Sequence, residues 1–207
     1  MARVFYDLAS GVQGVRPATK ADESELFDLL LMLHAEIGFF RVNPQKVLLG
    51  IQWATERKGG IIFVIEQDNR IVASLGMVIA QDWYSDDEFL QERWNYVHPD
   101  YRRGTDYARK LIEQAKWSTD WWKAKPRNIN MPFMCGINSL KRTEAKIRLY
   151  ARHMPCIGAY FAYGHAAFQN DHIDEAMRVI QQHEYDRRRE AGSVPVVETI
   201  LRVSRHV

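Results

Sequence analysis

Apolar positions along the chain come in short blocks whose period switches between two and about 3.6, which predicts alternating strands and helices. Val15 to Ala18 is a short apolar piece ending at a turn. Thr19 follows as a helix N-cap with Asp22 three residues on, a capping-box spacing. Leu26, Leu29, Leu30 and Leu33 then recur at i, i+3, i+4 and i+7, so the first long helix is amphipathic. Pro44 opens a second helical pattern that runs to about Arg57 and closes at Gly59-Gly60. Ile61 to Ile65 reads as a buried strand, Asp68-Asn69 as a turn, and Ile71 to Ala80 as a second strand, a hairpin over 61–80. Glu88 to Val97 alternates loosely and stops before Pro99, giving a third strand.

From Arg103 the period becomes helical again, with Ala108, Leu111, Ile112, Ala115, Thr119 and Trp122 on one stripe. Asn130 to Ile137 is expected as a strand, with Pro132 at a position that needs no backbone donor. Asn138 or Ser139 can cap a further helix to about His153, and Ile157 to Tyr163 reads as another strand. A helix with Ile173, Ala176, Met177 and Ile180 on one face follows, then a strand-like Val194 to Val203. The predicted order is β-α-α-β-β-β-α-β-α-β-α-β, a mixed α/β sheet rather than a regular parallel one. No internal repeat and no low-complexity linker divides it, so one domain over 1–207 is expected.

Composition narrows the class. The 207 residues are 46% hydrophobic and 26% charged, which is globular usage. A formal net charge of +2 does not point to a polyanionic partner. Cys135 and Cys156 are too few for a disulfide framework or a zinc set, and the seven histidines lack metal-ligand spacing. No metal is expected. The N-terminus lacks the apolar run of a secretion signal, and no stretch is long enough to span a bilayer. A reducing, cytoplasmic setting without membrane attachment is the expectation. Trp117, Trp121 and Trp122 beside Lys116, Lys123, Lys125 and Arg127 can be read as a nucleic-acid surface. Tryptophans packing a helix onto a sheet are the preferred reading, so a nucleic-acid partner is not expected. Asp186 to Glu190 reads as a solvated helix end.

Chemistry concentrates at Val97-His98-Pro99-Asp100-Tyr101-Arg102-Arg103-Gly104-Thr105-Asp106-Tyr107-Ala108. A strand ends, a turn carries two arginines and a glycine, and a helix begins. Uncommitted amides at a helix start, together with the helix dipole, favour an anion, and successive turn amides can cradle a pyrophosphate. The same pattern also suits an ordinary surface turn with solvated arginines.

The segment VHPDYRRG and the helix after it resemble the coenzyme A loop of the GNAT superfamily of N-acetyltransferases. Arg103 and Ala108 match the first and last positions of its Arg/Gln-x-x-Gly-x-Gly/Ala motif, and Asp106 replaces the central glycine. Leu149-Tyr150, followed by Gly158-Ala159-Tyr160-Phe161, is similar to the later helix and strand of that family. The resemblance covers about residues 14–165, leaving the helix and strand of 166–207 as an addition. It implies a mixed, mostly antiparallel, bent sheet flanked by helices, with coenzyme A entering where two strands splay apart. Acetyl-CoA is then the implied donor. Tyr96, Val97, Arg102, Arg103, Gly104, Thr105, Asp106, Tyr107 and Ala108 are its implied binding residues, and Tyr150 is the implied general acid.

An amine with a pKa near about 10.4 must also lose a proton before it attacks, and the carbonyl oxygen needs a donor. Glu92 is the base candidate, with Glu36 and His34 weaker ones, and the amides of about Asn95 to Val97 are the donor candidates. The acceptor stays open among amines. The last strand pairs back on its own sheet or exchanges with a second subunit, which makes a homodimer a candidate assembly. The alternative class is a non-catalytic acyl-CoA or nucleic-acid binding module on a decayed frame of the same kind, with Asp106 as its argument.

Overall fold

In a computed structural model, the described residues are 5, 8–37, 40–137 and 142–158. The chain divides into two compact units, Met1–Gly136 and Ile137–Val207. The first unit holds a five-stranded sheet in chain order: β1 Arg16–Pro17, β2 Gly60–Gln67, β3 Arg70–Gln81, β4 Glu88–Val97 and β5 Phe133–Met134. The first three pairings are antiparallel, and β4–β5 is parallel. Three helices flank it: α1 Glu23–Ile37, α2 Pro44–Thr55 and α3 Tyr107–Lys123. The described part of the second unit contains α4 Thr143–Ala151. The expected strand 157–163 falls partly outside the described residues, and the expected helix near 171–190 and strand 194–203 fall wholly outside them. No helix among the described residues is long and apolar enough to cross a membrane.

Alternation along β2 sorts the core into two clusters. Ile61, Phe63 and Ile65 pack with Leu111, Ala115 and Trp122 of α3. Ile62 and Val64 pack with Leu26, Leu29, Leu30 and Leu33 of α1 and with Ile51 and Ala54 of α2. The sheet is thus sandwiched, which explains why β2 reads as one unbroken apolar run. The hairpin turn is as expected from Asp68-Asn69: both have positive φ, 52° and 59°, the pair of left-handed residues that a two-residue turn between twisted strands requires. The aromatic stretch of α3 serves the core. Trp122 is buried, Trp117 and Trp121 pack against the same cluster, and Arg127 lies 3.6 Å over the Trp121 ring.

Two expectations shift. Helix α3 begins at Tyr107 rather than Arg103, because Gly104 adopts φ 72° and breaks the helical path. Strand β5 is two residues long rather than eight, and Pro132 contributes its carbonyl to the Leu90 amide at 2.8 Å. The N-terminal segment, which carries no readable period, is part of the core: Phe5 and Leu8 are buried. Gln114 on α3 is buried, and its side-chain oxygen accepts from the Ser10 hydroxyl and the Gly11 amide, both at 3.0 Å.

Before α1, residues 20–22 form a single 3-10 turn whose N-cap is Thr19. Asp22 accepts from the Thr19 amide at 2.7 Å and from both terminal nitrogens of Arg16 at 2.8 Å. The Arg16 guanidinium first, then Thr19, outweighs the burial of Asp22 and holds its pKa down at about 2. A carboxylate depressed in the folded state stabilises at pH values above its unfolded pKa, ordinarily about 4. That contribution is lost as pH falls through about 2. Asp22→Asn should therefore cost about 1–2 kcal/mol at neutral pH, discounted for the partial exposure of Arg16. Chemical denaturation from pH 7 to pH 2 should show the gap between the two proteins closing on the acid side.

Candidate functional site

Strand β4 carries an extra residue. Gly76 faces Trp94 across the pair, but Met77 faces Glu92, so Arg93 bulges out. The bulge resets the alternation. Leu90 and Val97 lie an odd number of positions apart yet pack in the same cluster on the α3 side, while Tyr96 and Trp94 turn to the α1/α2 side. Gly76 is required where the strand distorts: a Cβ there would lie 2.5 Å from the Trp94 ring, so the indole lies close over the glycine backbone. Trp94 in turn donates to the Ser74 hydroxyl at 3.1 Å. On its outer edge β4 pairs with β5 only at Leu90↔Phe133 and Gln91↔Met134. Among the described residues, Glu92 to Val97 have no neighbouring strand on that side.

Beyond Val97 the chain makes the turn the sequence marks out. The His98 amide donates to Val72, and its imidazole Nδ1 accepts from the Asp100 amide at 3.3 Å, capping a 3-10 turn over Pro99–Tyr101. The Thr105 hydroxyl donates to the Tyr101 carbonyl, and the Tyr107 hydroxyl donates to Gln67 at the hairpin end of β2. Asn95 on β4 donates its side-chain amide to the Ala108 carbonyl at 3.2 Å, joining strand to helix. The first intrahelical bond enters Asp106 from the Lys110 amide at 2.9 Å, so the amides of Tyr107, Ala108 and Arg109 precede it and face the helix start.

Gly104 is exposed, and a Cβ would meet nothing within 4 Å; its positive φ, not crowding, is what favours glycine there. Arg103 is exposed beside it. Gly104, exposed Arg103 and a 17-residue helix pointing its N-terminus at the turn form a cradle suited to a diphosphate.

The expected site residues separate into three groups. Arg103, Gly104, Thr105, Asp106, Tyr107 and Ala108 are brought together at this turn, and Glu92 sits one residue before the bulge. Arg102 turns inward instead. Its Nε donates to the Val97 carbonyl at 2.8 Å and a terminal nitrogen donates to Glu36 at 2.6 Å. Tyr96 is buried, and its hydroxyl donates to the same Glu36 oxygen at 2.9 Å. Burial first, and the Glu36 carboxylate second, pushes the Tyr96 phenol well above the ordinary range. Tyr150 is buried on α4, in the second unit.

Asp106 does not face the cradle as a bare charge. Its carboxylate pairs with Arg109 at 2.6 Å and Lys110 at 3.5 Å, and Arg109 holds its pKa below the usual carboxylate value. Glu36 is the residue whose role spacing could not reveal: a carboxylate at a helix end is ordinarily solvated, and its partners lie 60 and 66 positions away.

Residues 58–153 match the sequence profile of the acetyltransferase (GNAT) domain. No curated protein matches the chain. Solved structures match its fold. A "possible acetyltransferase" from Clostridium difficile 630 is 18% identical with a TM-score of 0.56, covering 72% of this chain and 95% of that one. The ribosomal-protein-alanine N-acetyltransferase of Brucella melitensis biovar Abortus 2308 is 15% identical, TM-score 0.53, with coverage of 72% and 95%. A predicted acetyltransferase from Clostridium acetobutylicum, solved with acetyl-CoA, is 13% identical, TM-score 0.55, with coverage of 72% and 94%.

Asp106→Gly should lower stability by about 0.5–1 kcal/mol, since it removes an anion from the helix start and adds backbone freedom there. Thermal unfolding at low and high salt checks this: the loss should shrink at high salt, where the Arg109 and Lys110 pairs are screened.

Proposed function

We propose that the chain, whose residues 58–153 match the acetyltransferase (GNAT) domain, moves an acetyl group from acetyl-CoA to a primary amine by direct transfer. The observation that carries this reading is the open edge of β4, bulged at Arg93 and running straight into the Arg103–Ala108 turn. A strand edge with no strand beside it is where an extended pantetheine arm can lie, and the turn beyond it suits the pyrophosphate at the arm's other end.

The residues then divide the work. Arg103 and the amides of Gly104 to Ala108 bind the pyrophosphate. A β4 amide near the bulge, in the stretch Asn95 to Val97, donates to the carbonyl oxygen as charge develops on it. Glu92, beside the bulge, takes the proton that the attacking amine must lose. Tyr150 gives a proton to the departing thiolate; this assignment rests on the Leu149-Tyr150 pattern of α4, not on a distance. The atoms balance: a C–N bond forms, the C–S bond breaks, the amine proton passes through Glu92 to solvent, sulfur receives one from the phenol, and solvent returns a proton to the phenolate. Asp106 does not count against coenzyme binding, since Arg109 and Lys110 already compensate its charge.

Acetyl-CoA at 100 times its dissociation constant should stabilise the chain by about 2.7 kcal/mol, seen as an upward shift of the melting temperature. A thiol-release assay over small amines, peptide N-termini, lysine side chains, aminoglycosides and aminoacyl-RNA should identify the acceptor class. Coenzyme binding with no thiol released from any of these would favour a binding module.

Tyr150→Phe keeps the ring and its packing. It should leave coenzyme affinity unchanged and lower kcat by roughly 10²-fold, the effect of losing a positioned acid. Equal kcat for the two proteins would mark Tyr150 as structural.

A further inference from the structure

Arg102 and Arg103 are neighbours in sequence with opposite environments. Arg103 is exposed at the turn. Arg102 is driven inward, its side chain 18% exposed and paired with an equally covered Glu36. Three elements meet on that guanidinium. Its Nε closes a ring onto the Val97 carbonyl, so the five-residue excursion from the end of β4 to Arg102 returns on itself. Its terminal nitrogen reaches Glu36 on the last turn of α1. Its face stacks 5.1 Å over the ring of Tyr96, whose hydroxyl donates to the same Glu36 oxygen.

We propose that Glu36 and Arg102 are positioning residues for the coenzyme loop: they fix the entry into the Arg103–Ala108 turn from below, and neither touches the ligand. The proposal rests on the acetyl-CoA reading above. A loop must be ordered before its amides can converge on one ligand, and every residue left mobile has to be ordered at the moment of binding. Arg102 pins the residue immediately before the cradle at two points, a backbone carbonyl of β4 and a carboxylate of α1. Gly104 cannot supply that order, since glycine is the least restricted residue in the turn. The planar fork of arginine suits this double attachment, because Nε serves the carbonyl while a terminal nitrogen serves the carboxylate, a geometry that lysine cannot reproduce. Because α1 is one rigid helix, the turn is tied to the sheet's opposite layer, and the coenzyme loop is held by a residue 66 positions away.

The test is calorimetric titration of the full chain with two probes, acetyl-CoA and S-acetylpantetheine, which lacks the nucleotide and pyrophosphate. Glu36→Gln keeps the shape and removes the charge. It should weaken acetyl-CoA about tenfold, the order expected for a charge-assisted hydrogen bond, and leave S-acetylpantetheine within about twofold. Arg102→Lys should do the same, and the double variant should be little worse than either single one, because both changes break one network.

Asp22→Asn, beyond the far end of α1 and about 20 Å away, serves as the control: it should lower the melting temperature without changing either affinity. Unchanged acetyl-CoA binding by Glu36→Gln overturns the proposal. So does weakening by Arg102→Lys alone, which would mean that Arg102 contacts the ligand itself, or equal weakening of both probes, which would mean a general loss of structure. If Glu36→Gln does not fold, Glu36→Asp, which keeps the charge but shortens the reach to Arg102, takes its place with the same two probes and the same outcomes. A wild-type chain that binds no acetyl-CoA overturns the coenzyme reading and this proposal together, a result distinct from wild-type binding that Glu36→Gln leaves intact.

Discussion

A strand that loses its neighbour must place its backbone donors and acceptors elsewhere, and much of this molecule follows from how β4 does so. Along β3 it is paired throughout, but on its other edge the parallel partner stops at Gln91. Buried amides and carbonyls without partners are costly, so such an edge belongs to water, to a side chain or to a ligand. At Val97 the answer is a side chain, the Arg102 guanidinium. At His98 it is the neighbouring strand again, through the Val72 carbonyl. Between the bulge and Val97 the edge has no strand beside it among the described residues. The bulge at Arg93 contributes a second constraint. It turns Asn95 to the α3 side, where it reaches the Ala108 carbonyl, so the start of α3 is tied to the edge it serves.

Local rules made much of this frame legible. The Asp68-Asn69 turn, the leucine stripe of α1, the Thr19–Asp22 cap and the strand–turn–helix at Val97–Ala108 are all set by neighbours within a few positions; the structure has all four, with Thr19 capping a 3-10 turn ahead of α1 and α3 starting four residues later than expected. The sandwich itself follows from β2, whose two faces are both apolar. What spacing could not show was how pairing ends. Nothing in Asn130 to Ile137 announces that only Phe133 and Met134 join the sheet, because the stop depends on where β4 runs, not on the composition of β5. The N-terminal segment is a similar case. Phe5 and Leu8 have no period to reveal them, and their burial depends on α3 a hundred positions later, where Gln114 accepts from Ser10 and Gly11.

The candidate site divides the same way. The turn itself was readable because a strand–turn–helix has a sequence form: a strand end, a glycine, polar residues and a helix start. The direction of each side chain was not. Asp106 reads as a charge placed against an anionic ligand, yet Arg109 and Lys110 lie on the same helical face one turn on and compensate it. Consecutive arginines read as a pair of ligand-binding cations, yet at the end of a 3-10 turn neighbouring residues point to opposite sides. One is therefore exposed at the turn and the other is bonded to the protein.

The inward placement of Arg102 is a poor way to add stability. Burying two charges costs desolvation that their attraction only partly returns, and a well-packed apolar pair of similar volume is often as stable or more so. What an apolar pair cannot provide is direction. A carboxylate that accepts from Tyr96 at 2.9 Å and Arg102 at 2.6 Å through one oxygen fixes two side chains at once. The guanidinium adds a bond to the Val97 carbonyl, which fixes the backbone as well. An apolar contact tolerates sliding by an ångström at little cost, whereas these bonds weaken steeply with angle and distance. Where amides must converge on a diphosphate, an ångström is the difference between binding and not binding. A network of modest net stability and strict geometry is thus what the entry to such a loop requires.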